Sequence, residues 1–379
     1  MVAATPAMQP DLAIIGGGPA GLACAWKAAR LGLRTVLFEP KQGNVEKPCG
    51  EGIMPGALDV LREMGVPKSA TDCRPFPGIR YFVPGAEPLT INFPQAGNAY
   101  SRPVLDRLMR KQLQCEPGVS ILAQKATVER VSGGFSVGTQ DGTRWNPKWL
   151  VVADGAGGST ARWMRGPAKI FGPRLGLRAR YQDLSHLDRV EIHLGQGVDF
   201  YLTPLPHGLL NVALMVDHPP SGVHGAESLF TWALKRHPQL LEKLGELTTP
   251  ASSVPLQHIY PQRVTDGKVF LIGDAGGVAD PILGTGLAVA LRTGFQAAEA
   301  VALAKSGAPI KKVARTFRRQ AQAERGPRQK LARLLHFASS HERVTRGVVA
   351  VLQRTPRIAQ RLAATAAGVP LQSAKESQQ

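Results

Sequence analysis

Apolar positions along this chain change their period from one stretch to the next, and each period predicts an element. "DLAIIG" (11–16) is an unbroken branched apolar run, the pattern of a strand buried on both faces. From Pro19 to Leu31 the apolar residues return at helical spacing, which predicts a helix directly behind that strand. "RTVLFEP" (34–40), "KWLVV" (148–152) and "KVFLIG" (268–273) repeat the short strand pattern, and the last leads through a glycine-rich loop into a helix beginning near Gly286. Between 170 and 216 the runs shorten and are broken by Gly, Pro and Asp, as in "VEIHLG", "DFYLTPL" and "NVALMV". These read as antiparallel strands. "GAESLFTWALKRHPQLLEKL" (225–244) reads as an amphipathic helix or helix pair over the outside of that sheet, and "ASSVPLQHIYP" as the return to the first domain. After Pro309 the chain is helical again, with Leu331, Leu334, Leu335 and Ala338 on one stripe and Val348, Val349 and Leu352 on a second.

Chemistry enters with the glycines. Gly16, Gly18 and Gly21 spell G-x-G-x-x-G where the first strand meets the first helix. The first permits a tight turn, the second lets the backbone approach a pyrophosphate, and the third lets helix and strand pack closely. Pro19 and Ala20 open the helix, whose N-terminus turns free N–H groups toward the phosphates. Glu39, 18 residues beyond Gly21 and followed by Pro40 and Lys41, can accept hydrogen bonds from both ribose hydroxyls and would repel a 2′-phosphate. Strand, glycines, helix, strand and acid in this order predict an α/β dinucleotide-binding domain. They leave FAD and NAD equally open.

Two distant segments favour FAD. "KVFLIGDAGGVADPILGTGLAVALRTG" (268–294) resembles the second FAD motif of flavoprotein hydroxylases and their relatives. The resemblance implies that Gly273 and Asp274 hold the ribityl chain, with Pro281 in the loop beyond. It also implies that Gly284, Thr285, Gly286 and Leu287 aim backbone N–H groups at the pyrimidine end of the flavin, where the reduced ring gathers charge. "KWLVVADGAGGSTAR" (148–162) resembles the Asp-Gly motif of the same families, through Asp154 and Gly155. "KPCGEGIMPGALDVLREMGV" (47–66), with Cys49 and Gly50, is similar to the loop and helix that follow the first acid in geranylgeranyl reductases and neighbouring monooxygenases and halogenases. "YSRPVLDRLMRKQL" (100–113) resembles the segment in which an arginine, here Arg102, approaches the flavin; Ala126 is also counted with the cofactor contacts. The chain thus resembles the FAD-dependent monooxygenase, geranylgeranyl reductase and flavin halogenase superfamily. The implied fold is α/β: a Rossmann-like FAD-binding domain of the hydroxylase type, with an inserted antiparallel β-sheet substrate domain and C-terminal helices. On that pattern residues 1–78, 100–168 and 262–305 build the FAD domain, 79–99 and 169–261 the substrate domain, and 306–379 the basic helices.

Departures from the family patterns order the possible reactions. Gly-Asp-Ala-Gly-Gly at 273–277 replaces the Gly-Asp-Ala-Ala-His of aromatic hydroxylases, which favours the reductase and halogenase side. None of the five tryptophans forms the W-x-W-x-I-P pattern of halogenases, so halogenation is the minor option. Tyr201, Pro204 and Pro206 match the substrate-lining motif of prenyl reductases only loosely. The leading expectation is a monooxygenase that hydroxylates an apolar, aromatic or lipid-like secondary metabolite through a flavin C4a-hydroperoxide. The alternative is a reductase of C=C bonds in a prenyl or lipid chain. Cys49 is a candidate catalytic or substrate-shaping residue, or else a small buried residue in a Pro-Cys-Gly turn, and Glu51 is a candidate proton donor. There is no second strand-plus-G-x-G-x-x-G unit, so electrons are expected from transiently bound NAD(P)H or an external reductase.

Charge adds one more feature. The chain of 379 residues carries a net +18, and the stretch from Lys305 to Arg361 holds fifteen Lys and Arg against two Glu. That stretch supplies thirteen of the eighteen charges, and the remainder is ordinary. The basic helices are expected either to pack on the FAD domain with a solvated face, or to meet an anionic membrane surface or an acidic carrier protein. No nucleic-acid module accompanies the charge, so nucleic acid is not expected. Cys24, Cys49, Cys73 and Cys115 form no CxxC pair and have no His at ligand spacing, so no metal site or disulfide framework is expected. "MVAATPAMQP" lacks a signal pattern, and no apolar run approaches the roughly 20 residues of a bilayer span. The expected location is the cytoplasm, with peripheral membrane attachment through the basic helices left open.

Overall fold

The computed structural model describes residues 9–41, 43, 46–166, 168–195, 197–278, 283–339 and 342–368. Among them, the strands Val269–Leu271, Trp149–Val152, Leu12–Ile15, Thr35–Phe38 and Val119–Leu122 lie side by side in that order, all parallel. The first four are buried along their whole length, which is why they read as continuous apolar runs rather than alternating ones. Alternate residues serve different layers. Leu12, Ile14, Leu37 and Val151 pack with the helices Pro19–Arg30 and Gly286–Lys305, where Trp26 stacks on Phe295 at 5.8 Å. Ala13, Ile15, Val36 and Phe38 pack on a small antiparallel meander, Thr127–Val131, Gly134–Gly138 and Arg144–Trp145. The helix Gly286–Lys305 has the length and mean hydropathy, 1.3, of a bilayer span. Its Leu291, Ala297, Ala298 and Val301 are instead buried in this core.

The second sheet has eight strands in the order Leu244–Pro261, Ala168–Asp183, Leu209–Val216, Val198–Pro204, Val190–His193, Arg74–Phe82, Leu89–Ala99 and Gly52–Ile53. All neighbours are antiparallel except Val190–His193 with Arg74–Phe82. The helix Ala226–Lys235 covers its outer face, burying Leu229, Phe230 and Ala233 against Leu177, Phe200 and Leu214. On the inner face the registers align Arg178, Ala213, Tyr201, Ile192, Tyr81 and Leu89 in one transverse row. Directly opposed residues share a face, so this face grades from charged to apolar across the sheet.

The structure departs from the sequence expectations in three places. The expected boundary at residue 79 falls inside the strand Arg74–Phe82, and Gly52–Ile53 joins the same sheet from the far side of the boundary. "ASSVPLQHIYP" is the second half of one 18-residue strand, Leu244–Pro261. The basic helices divide between two bodies. The first half of Ile310–Ser339 packs Val313, Phe317 and Ala321 on the parallel-sheet core, whereas Leu331 and Ala332, with the helices Glu342–Arg354 and Pro356–Ala367, pack on the inner face of the eight-stranded sheet. An apolar stripe shows that a helix face is buried, but not which surface buries it.

Candidate functional site

Each motif glycine can be sorted by what a side chain would meet. Gly16 sits at φ +103°, and a Cβ there would lie 2.4 Å from the Ala153 carbonyl oxygen; a Cβ on Gly21 would lie 1.9 Å from the Gly16 carbonyl oxygen. Both are closed against backbone, as a tight turn and a close helix–strand contact require. Gly18 is different, since nothing lies within 4 Å of a Cβ built on it, and the same is true of Gly50, Gly155 and Gly286. Glu39 closes the loop from the side. Its carboxylate accepts the N–H of Gly17 at 2.7 Å and that of Lys41 at 2.8 Å, and its own N–H donates to the Leu122 carbonyl at 3.0 Å. Pro40 is exposed beside it, and Ala126 is half-buried between Val119–Leu122 and Thr127–Val131. Arg110 stands behind the loop: Asp106 accepts its Nε at 2.6 Å, and its Nη2 donates to the Gly17 carbonyl at 3.3 Å. No sequence signal singled out Arg110.

Two further turns come to the C-terminal edge of the parallel sheet. Asp154 follows Trp149–Val152 directly; its Oδ2 accepts the N–H groups of Thr160, at 3.0 Å, and Ala161, at 3.4 Å, and so holds the start of the helix Ser159–Arg165. Its Oδ1 is buried without a hydrogen-bond partner. Burial pushes the carboxyl above its ordinary value despite those N–H groups. Asp274 lies in the 3-10 turn Gly273–Gly276, half-buried, with Lys47 Nζ 3.8 Å away. Behind that turn is buried Arg325, whose Nη2 donates to the Gly273 carbonyl at 3.1 Å. Burial draws its pKa down to about 10 against the charges of Asp274 and Glu324. Gly284, at φ +63°, and Gly286 are exposed on either side of buried Thr285, and Leu287 is buried in the first turn of the long helix. Pro281 lies outside the described residues.

The third element is a loop pinned by charge. Glu51 is 0% exposed at φ +60°. Its Oε1 accepts the Arg102 N–H at 2.8 Å, and both its oxygens are gripped by Arg180, with Nε at 3.1 Å and Nη2 on Oε1. Arg180 Nη1 also reaches Glu46 at 2.8 Å, and Arg178 Nη2 pairs with the same carboxylate. Burial raises the Glu46 carboxyl, but the hydrogen bond and charge of Arg180, with the charge of Arg178, outweigh it and hold the group below its ordinary value. Cys49 is half-buried; its Sγ accepts the Glu51 N–H at 3.4 Å, and its carbonyl accepts Asn211 Nδ2 at 3.1 Å. Arg102 is buried at the first turn of Arg102–Gln114, its Nε without a partner. Sequence reasoning passed over the two arginines of this cluster; their one local signal is "LRARY" (177–181), two cations at strand spacing in an otherwise apolar run, which does not say what they pair with.

Open space beside Gly18, Gly155 and Gly286, the orphaned Asp154 Oδ1 and the fixed Glu39 carboxylate together fit an elongated dinucleotide lying along the edge of the parallel sheet. Asp274→Ala is expected to weaken retention of that dinucleotide by about 10- to 100-fold, the worth of one or two hydrogen bonds to a charged group. Arg325→Met should follow in the same direction by releasing the turn. Bound flavin absorbance in the purified variants measures both, and full flavin content in both would remove this turn from the site. Beyond the loop, between the inner face of the eight-stranded sheet and the C-terminal helices, an apolar cleft is walled by Ile79, Tyr81, Ile91, Phe93, Leu331, Val349 and Leu352.

Comparison with known proteins places these features together. Residues 9–172 match the model of the FAD binding domain family. The chain is 28% identical over 312 residues to a menaquinone reductase of Mycobacterium tuberculosis, covering 76% of each chain. It is 26% identical over 323 residues to digeranylgeranylglycerophospholipid reductase 3 of Methanosphaera stadtmanae, covering 78% of each. Among solved structures, the flavin-dependent brominase Bmp2 superposes with a TM-score of 0.82 over 95% of this chain and 94% of its own, at 19% identity. PqsL of Pseudomonas aeruginosa, described as a probable FAD-dependent monooxygenase, superposes with a TM-score of 0.74 over 90% of this chain and 99% of its own, at 18% identity. With the glycine cradle, the acid turns and the two-sheet architecture, these likenesses make the chain an FAD-dependent oxidoreductase, similar in sequence to menaquinone and digeranylgeranylglycerophospholipid reductases and in fold to a flavin-dependent brominase and a probable FAD-dependent monooxygenase.

Proposed function

We propose that this flavoenzyme reduces carbon–carbon double bonds in the prenyl chain of a lipid. The cleft carries this reading: its walls come from aliphatic and aromatic side chains of both the sheet and the helices, which suits a long hydrocarbon and offers few polar groups to orient a small aromatic acid. The relatives aligned along three quarters of the chain support it, since their names give a menaquinone and a digeranylgeranylglycerophospholipid, both prenyl-bearing lipids, as substrates. Hydroxylation, the leading expectation from sequence, uses the same cradle and gives way here, because its structural likenesses lie below 20% identity and concern fold.

In this reading FAD supplies a hydride when reduced by NAD(P)H or an external reductase, and the chain supplies everything else. The cleft excludes water and holds the prenyl chain extended. Cys49, half-buried on the loop beside the cradle, gives the proton and recovers it from solvent. Both oxygens of Glu51 are occupied by Arg180 and the Arg102 N–H, so Glu51 positions the loop rather than donating. Anaerobic turnover tests the reaction. Chemically reduced enzyme mixed with a prenylated quinone without O2 should yield, once the ring has been reoxidised to the quinone, product richer by one H2 in its prenyl chain; an unchanged chain, or turnover only in air with labelled gas oxygen in the product, would overturn reduction, the latter in favour of monooxygenation.

A further inference from the structure

We infer that the helices Glu342–Arg354 and Pro356–Ala367 form a docking surface for an anionic lipid bilayer, placed around the mouth of the apolar cleft. This goes beyond the reaction proposed above and stands whichever chemistry the cradle performs.

Each helix has two faces with different tasks. Val349 and Leu352 of the first, and Ala359 and Ala363 of the second, are buried against the sheet. On the other side Val351 is 54% exposed and Ile358 47% exposed, with Val344 also exposed. Arg354, Arg357 and Arg361 are exposed among them, and none of these three makes an ion pair with a described residue. Between Arg343 and Gly368 the sequence contains no Asp or Glu. A face meant only for water would not interleave branched aliphatics with unpaired arginines, whereas a helix lying in a lipid interface places aliphatics among the acyl chains and arginines at the head groups.

The cleft decides between a bilayer and an acidic protein as the occupant. Tyr81, Ile91, Phe93, Val348 and Leu362 line it and are only half-buried, so it is open to the outside beside these same helices. Val349 and Leu352 wall the cleft, while Val351 and Arg354 on the same helix face outward. A bilayer seated on the outward face would bring hydrocarbon to the edge of a hydrocarbon-lined cavity, and an apolar substrate could pass between them without crossing water. Gln353 fixes the arrangement by donating from Nε2 to the Glu87 carbonyl at 3.1 Å, across the loop between the strands Arg74–Phe82 and Leu89–Ala99.

Sedimentation of the FAD-loaded full chain with vesicles tests this without turnover. Phosphatidylcholine vesicles containing roughly 30% phosphatidylglycerol should bind the protein, pure phosphatidylcholine should bind it far less, and added salt should release it. Replacing Arg354, Arg357 and Arg361 together by Gln should lower partitioning on the order of 100-fold, from about fivefold per cation near the surface. The double variant Val351→Asp, Ile358→Asp should lower it at least about tenfold through lost apolar insertion. Both variants should keep their flavin and their thermal unfolding profile. Equal binding to the two vesicle types, or wild-type binding by the arginine variant, would overturn the inference. So would failure to bind either vesicle, which would assign the arginines to an acidic protein partner. Sensitivity to the arginines but not to Val351 and Ile358 would overturn the seating at the cleft mouth.

Discussion

Arg180→Met will destabilise the protein by about 3–5 kcal/mol near neutral pH, the usual consequence of removing one partner from a buried ion pair. Glu51 is entirely excluded from solvent and both its oxygens rest on Arg180. Without that guanidinium it keeps one backbone N–H, from Arg102. The pH dependence comes from Glu46. In the wild type, despite its burial, it is held below its ordinary value, chiefly by the hydrogen bond and charge of Arg180, so its contribution is present above the unfolded-state pKa and is lost as pH falls through the folded one. The variant lacks Arg180 and most of that contribution at every pH. The stability gap between wild type and variant should therefore be full at neutral pH and narrow as pH falls below the ordinary carboxylate range. Denaturant titrations from neutral to acid pH measure it, and a gap independent of pH would show that Arg180 does not hold the Glu46 carboxylate. Arg180→Lys should rescue only in part, because an ammonium cannot bridge two carboxylates as a guanidinium fork does.

Gly18→Val and Gly21→Ala should separate flavin binding from folding. Gly18 has φ −72° and ψ −178°, open to any residue, and its added Cβ meets nothing. Valine there should leave the apo-protein within about 0.5 kcal/mol of wild type. The same side chain would fill the approach to the helix N-terminus where the pyrophosphate must come close. FAD affinity should fall by at least about 100-fold, two or more good charge-assisted hydrogen bonds being lost. Alanine at Gly21 does the reverse. Its methyl would sit 1.9 Å from the Gly16 carbonyl oxygen, so the helix must lift from the strand, at about 1–3 kcal/mol even before any ligand is considered. Apo-protein melting and flavin content of the two variants distinguish the cases, and a fully yellow Gly18→Val protein would place the dinucleotide elsewhere.

The cradle was legible in the sequence because its constraints are local and steric. Gly16, Gly18 and Gly21 lie within six residues, and the parallel strands are buried on both faces, which writes them as plain apolar runs. The charge network was not legible. Glu46 and Glu51 meet Arg180 across 134 and 129 residues, and no pattern along the chain links a loop acid to a strand arginine so far away. Arg325 was hidden differently, as one cation among many in a helix that reads as a solvated basic face. The destination of the last two helices also depended on the second sheet, whose inner face offers an apolar surface only after eight strands from four separate stretches of the chain have assembled.

One helix, Ile310–Ser339, donates Arg325 to the Gly273 carbonyl and, less than two turns later, sets Leu331 into the cleft wall. Any free energy by which this helix couples occupancy of the cleft to occupancy of the cradle must act equally in both directions, whatever its sign, and Pro327, between those two residues, is where such coupling would be absorbed or passed on.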